Sequence, residues 1–155
     1  MAIDLKTSYI QKAHRLSLYD IDSSVGNVYA GQLFQLNDSG KWAYSDGSRK
    51  AYPTLNNRFA GQGLGLQGEI LDGRDDVSRA GKIACLMGNF EIGTDQYDTA
   101  ATYHYGQALH PSTDSSKKGL ITVYDSTNSA HKVQNICGYV THVPVTTGDF
   151  LRYQN

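Results

Sequence analysis

The residues with most scope for chemistry are five histidines (His14, His104, His110, His131, His142) and two cysteines (Cys85, Cys137). No two histidines stand in an HxxxH or HxH spacing, and the cysteines lie 52 positions apart. A zinc site would therefore have to be assembled by the fold from distant positions. His104, between Tyr103 and Tyr105, falls in a strand pattern and reads as an exposed or interfacial ring. Both cysteines sit in apolar strand patterns, so they are expected as buried, reduced thiols. The densest acidic cluster is Asp72-Gly73-Arg74-Asp75-Asp76. Cation loops alternate their carboxylates and close on a Glu; here Arg74 interrupts and no Glu closes the run, so a solvated turn is expected. Gly63, Gly65 and Gly68 spell GxGxxG, but residues 69–73 continue as a short strand pattern ending at Gly73. The fingerprint needs a helix there, whose N-terminus receives the pyrophosphate. No G-x-S-x-G elbow occurs, and few carboxylates fall inside strand patterns, which leaves no paired-carboxylate site. The expectation is a protein that is not an enzyme, with no catalytic, cofactor-binding or metal-ligating residue assigned and no cofactor.

The elements that could position a site are short strands. The chain has 155 residues, among them eleven tyrosines and sixteen glycines. Alternating apolar stretches stop repeatedly at Gly, Asn or Asp. The clearest are 120–124 after Gly119, 139–143 after Gly138 and 150–153 after Gly148-Asp149. Others are expected at 16–21, at 28–36 with a bulge at Gly31, and at 41–44, 68–71, 80–87, 89–92 and 103–109. Residues 45–68 are the least regular part, with a helical turn expected near 55–60. A loop of that length in a compact domain is usually functional or mobile. No long amphipathic helix and no repeat of fixed period is read. The fold class expected is all-β, a single antiparallel β-sandwich or barrel-like domain over residues 15–155. Residues 1–14, polar and without sustained periodicity, read as an extended N-terminal arm that is disordered until it meets a partner.

Charge and composition bound the partners. Fourteen basic and fifteen acidic side chains give a net charge of −1. The paired cations Arg49-Lys50 and Lys117-Lys118 sit in polar turns. Duplex DNA and anionic lipid favour basic patches, so neither nucleic acid nor membrane is expected as a partner. No apolar run of transmembrane length is seen and the first residues lack an apolar signal core. The chain reads as folded in a cytoplasm, where the sequon at Asn37 has no meaning.

What remains is an aromatic surplus. Tyrosine and tryptophan, with an apolar body and a polar tip, suit interfaces, and tyrosine also has high strand propensity. The candidate interface residues are Ile3, Leu5 and Tyr9 in the arm, Trp42, and Tyr97, Tyr103 and Tyr105. The stretch Val28-Tyr29-Ala30-Gly31-Gln32-Leu33-Phe34-Gln35-Leu36, with Gly40-Lys41-Trp42 after it, resembles the opening of small β-rich head proteins of tailed bacteriophages. Phe90-Glu91-Ile92, Asp95-Gln96-Tyr97-Asp98 and Tyr105-Gly106-Gln107-Ala108-Leu109 are similar to their later segment. Gly138-Tyr139-Val140 and Gly148-Asp149-Phe150-Leu151-Arg152-Tyr153 are similar to their closing strands. The family it resembles is that of the head decoration, or cement, proteins. The resemblance implies a virion protein on the capsid exterior that binds the major capsid protein, associates with itself as a homotrimer in preference to a dimer, and stabilises the shell by bridging its subunits. An arm of this kind adds a strand to a capsid element by β-augmentation. Other phage structural roles (tail tube, fibre or shell component) and a carbohydrate-binding β-sandwich using Trp42 as a stacking platform stay open.

Overall fold

The computed structural model describes residues 3–5, 14–55, 57, 82–146 and 148–155. Among these there is no α-helix. The strands are β1 (Ile3–Leu5), β2 (His14–Asp20), β3 (Leu33–Leu36), β4 (Trp42–Tyr44), β5 (Tyr52–Pro53), β6 (Lys82–Gly88), β7 (Glu91–Thr94), β8 (Ala108–Pro111), β9 (Ile121–Val123), β10 (Gly138–His142) and β11 (Leu151–Gln154). Two 3-10 turns, Ser115–Lys117 and Val133–Asn135, complete the described elements. All strand pairs are antiparallel, so the all-β antiparallel reading holds.

The first five strands after β1 form a loop of neighbours. β2 pairs with β6, β6 is bridged at Cys85 to Thr54 just after β5, β5 pairs with β3, and β3 with β4. The chain leaving β2 then bridges β4 in parallel, Ile21 to Trp42, and the Asp22 N–H donates to the Trp42 carbonyl. The set closes on itself as a small barrel. Its interior holds Phe34, Trp42, Ile83 and Cys85, with Ile21, Leu36, Tyr44 and Tyr52 around them.

The last five strands repeat this wiring. β7 pairs with β11, β11 with β10, β10 with β8 and β8 with β9. The chain leaving β7 bridges β9 in parallel, Tyr97 to Ile121, and the Asp98 N–H donates to the Ile121 carbonyl. Each barrel thus has the neighbour order first, fifth, fourth, second, third strand, and back to the first. Hydrogen bonds in the loop before the second strand coincide one for one. The Tyr29 and His104 N–H groups donate to the side-chain oxygens of Gln32 and Gln107, both at 2.9 Å. Gly31 and Gly106 donate to the carbonyls of Thr54 and Val140, both at 2.8 Å. Ser24 and Ala100 donate their N–H groups to the carboxylates of Asp22 and Asp98. The chain is a tandem pair of barrels of one topology, although no fixed sequence period announces it.

The two barrels share a core because strand side chains alternate between faces. On β3, Phe34 fills the first barrel while its neighbour Leu33 joins the interior of the second, with Ile92, Leu109, Ile121, Val140, Leu151 and Tyr153. On β6, Ile83 and Cys85 point into the first barrel and Leu86 into the shared core. Each such buried aliphatic side chain stabilises by about 1.5–3 kcal/mol. At the seam, the Leu33 N–H donates to the Gly119 carbonyl and the Gly119 N–H to the Ser45 carbonyl.

Strand bounds depart from expectation in two informative places. The strand expected at 28–36 begins only at Leu33, and that expected at 103–109 only at Ala108. In both, a glycine with positive φ (Gly31, 91°; Gly106, 75°) and the glutamine after it fold the chain into a turn first. His104 is therefore a turn residue, not a strand residue. Of the arm, Ile3–Leu5 lies as a strand on β7, in the register Ile3 to Thr94 and Leu5 to Ile92. The GxGxxG stretch, the acidic cluster at 72–76, the strand at 68–71, Tyr9, and all but Leu55 and Asn57 of the turn at 55–60 lie outside the described residues.

Candidate functional site

The barrel turns decide which aromatics are available at the surface. Trp42 and Tyr103 carry the side chains that plug the first and second barrels, while Tyr97 closes the second against Tyr103, edge to face at 5.6 Å. The Tyr103 hydroxyl donates to the carbonyls of Asp98 and Ile121, and that of Tyr97 to Asp149. Burial raises both phenol pKa values, with Asp98 and Asp149 adding to the effect. Trp42, Tyr97 and Tyr103 are thus core residues, and their use as an interface or a sugar platform is corrected. Tyr105 alone of the central candidates is a surface ring, 69% exposed. Ile3 and Leu5 belong to β1, at the sheet edge.

Around Tyr105 the structure gathers residues that sequence reasoning did not assign to an interface. His142, from β10, meets it edge-on at 6.5 Å. Tyr139, on the same strand and opposite Ala108, is 48% exposed. On the same β10–β11–β7 side Thr141 donates to Glu91 at 3.1 Å. This face can offer aromatic contact area with a polar fringe. The available signal was the alternation in Gly138-Tyr139-Val140-Thr141, whose odd partners must point outward once Val140 points in.

A second cluster is chemical in type but structural in its bonding. His110 is fully buried and stacks on His131 at 4.4 Å with the rings 14° apart, and Tyr124 lies beside both. His110 Nδ1–H is placed to donate to the Pro111 carbonyl at 2.7 Å, while its Nε2 accepts from the Lys132 N–H at 3.2 Å. His131 Nδ1 accepts from the Asp125 N–H at 3.0 Å. Burial holds both imidazole pKa values below the usual range; the neighbouring His131 lowers that of His110 further, and Asp125 partly opposes the shift at His131. These rings pin the 125–132 loop over β8. Among the described residues, no group of three or more His, Cys, Asp or Glu is arranged to hold a metal ion.

The thiols are free and buried, one in each barrel. Burial pushes Cys137 up to about 12 and Cys85 well above its ordinary value, which keeps both as unreactive thiols at neutral pH. Among the described residues, no helix is long and apolar enough to cross a membrane. Comparison of the chain with family models, with curated proteins and with solved structures gives no match.

Proposed function

We propose that this chain is a structural virion protein of the head-decoration kind, which binds the outer surface of a phage capsid and braces it by bridging shell subunits. The observation that carries the reading is the aromatic face of Tyr105, Tyr139 and His142 on a body of two fused barrels. A clamp needs stiffness and contact area rather than turnover. The shared core supplies the first, and exposed tyrosines, which lose little rotamer freedom on contact, supply the second. β1 adds a further element, because a short edge strand is suited to main-chain pairing with another chain. Once one contact forms, a second within the same body is made at high effective concentration.

The test is co-sedimentation with empty mature capsids, and then heating of DNA-filled heads with and without the protein. Binding that saturates, together with DNA retained to higher temperature, supports the proposal. Equal heat resistance with and without the protein would sink it. Binding to a glycan array that Tyr105→Ala abolishes would then favour the carbohydrate module.

A further inference from the structure

The two barrels are equivalent in wiring and unequal in what covers them, and the inequality has a direction. In the first barrel Gly31 is packed so closely on the second that an added Cβ would lie 2.0 Å from Thr94 Oγ1. At the equivalent Gly106 an added Cβ would meet nothing within 4 Å. The receiving side is matched in the opposite sense. Gly119 of the second barrel lies 3.4 Å, by the same measure, from Leu33 and Tyr44, whereas its counterpart Gly40 has open space. Leu33 and Pro53 of the first barrel, both buried, correspond to Ala108 and Tyr139; Ala30, buried, corresponds to Tyr105, the most exposed tyrosine among the described residues. The molecule is thus a two-unit head-to-tail array with an uncovered donor face at Gly106 and an uncovered acceptor turn at Gly40.

We propose that a second copy of this chain covers the Tyr105–Gly106–Tyr139 face, presenting its own 38–41 turn as residues 117–120 are presented within one chain. The Ala108 N–H takes the place of Leu33 as donor, and the Gly40 carbonyl of the second copy takes the place of Gly119 as acceptor. Tyrosine replaces alanine and proline on the uncovered face, which suits a contact between chains: an aromatic ring brings large area, and Lys41 together with Arg49, paired to Asp38 at the acceptor turn, can lie over it. The contact joins two different surfaces, so repetition closes into a ring where the rotation permits. It does not require that the shell be the partner.

Single cysteines placed beside the two faces read the geometry directly, because the native thiols are buried and do not compete. His104→Cys and Ser39→Cys sit on exposed turn residues, and both variants keep Tyr105. Under mild oxidation, mixing the two is expected to give a mixed disulfide dimer, with neither variant dimerising to a comparable extent alone. Adding Tyr105→Asp to the His104→Cys chain is expected to abolish that dimer while leaving the circular dichroism spectrum unchanged. Sedimentation of the unmodified protein is expected to show association that grows with concentration and is lost in Tyr105→Asp and in Tyr139→Asp. No mixed disulfide, or a His104→Cys homodimer as abundant as the mixed one, overturns the proposal.

Discussion

The first barrel and the second have the same five-strand circuit, yet they solve the problem of an apolar outer stripe differently. In the first, Leu33, Leu55 and Leu86 project outward from β3, the chain after β5, and β6, and are packed against the second barrel's interior. At the matching positions the second carries Ala108, Thr141 and Gln154, none of them fully buried. A barrel of five short strands encloses few side chains, and its interior alone is a thin source of stability. Fusing two of them lets one borrow the core of the other. The first barrel is therefore a dependent half and the second a host. Topology did not decide this; a handful of side-chain differences on a shared frame did.

The largest expected effect tests that dependence. Leu33→Ala should destabilise by about 2–5 kcal/mol, although Leu33 lies on the first barrel's outer wall. Chemical denaturation monitored by fluorescence of the only tryptophan, Trp42 inside the first barrel, should coincide with unfolding monitored by circular dichroism in the unmodified chain. In Leu33→Ala the two should separate, fluorescence changing first. Coincidence in the variant would mean that the halves are coupled elsewhere.

Next in size is the glycine contrast. Gly106→Ala should cost about 1–2 kcal/mol, the strain of a left-handed residue, since nothing obstructs its Cβ. Gly31→Ala adds a collision with Thr94 to a φ of 91°, and its melting temperature should fall clearly further. Pairing it with Thr94→Ala should recover part of the difference, which thermal melts of the four chains will show.

Acid should distinguish the barrels in a narrower way. His110 occupies the place of Gln35, so the imidazole stack exists only in the second. Both histidines have folded pKa values below the ordinary 6.5. Neutral rings are thus favoured by the folded state, and the stability they confer is complete above pH 6.5 and lost as pH falls through the folded values. Asp22, Asp114 and Asp125 also have lowered values, chiefly from the hydroxyl two residues on. Their contribution persists above the ordinary carboxylate range and goes only at stronger acidity. Melting temperature measured from pH 7 to pH 5 should fall in the native chain and flatten in a His110→Gln, His131→Gln double variant.

The smallest effect concerns the paired glutamines. Gln107→Ala should cost on the order of 0.5–1.5 kcal/mol, the net value of one hydrogen bond. Gln32→Ala should cost more, because Gln32 is buried at the seam and water cannot replace it. Glutamate at position 107, which keeps an acceptor for the His104 N–H, should restore most of the loss; denaturation midpoints are sensitive enough to rank all three.

The strands were legible because alternation and glycine turns are local signals; β9, β10 and β11 fall within a residue or two of expectation. Tandem repetition was not, because its markers are sparse. Asp22 with Gly31-Gln32 and Asp98 with Gly106-Gln107 are the visible traces, and the loops between them differ by one residue. Trp42, Tyr97 and Tyr103 carried a surface reading since polar neighbours such as Lys41, Asp98 and His104 surround them in sequence. The parallel bridges at Trp42 and Tyr97, and the bonds of the Tyr103 hydroxyl to Asp98 and Ile121, keep those three rings inside, and no local pattern encodes that. The surface place of Tyr139 and the settings of His142, His110 and His131 were not legible for the converse reason, as their neighbours come from distant parts of the chain.

β1 pairs with β7, a strand made only after the whole first barrel has been synthesised. Residues 3–5 must therefore wait for the middle of the chain before they find their place. Such a long closure is slow to form relative to the hairpins around it. During translation this segment is then the last piece of the first half to be settled, and a tag or fusion attached ahead of it would be carried to the flank of the second barrel rather than the first.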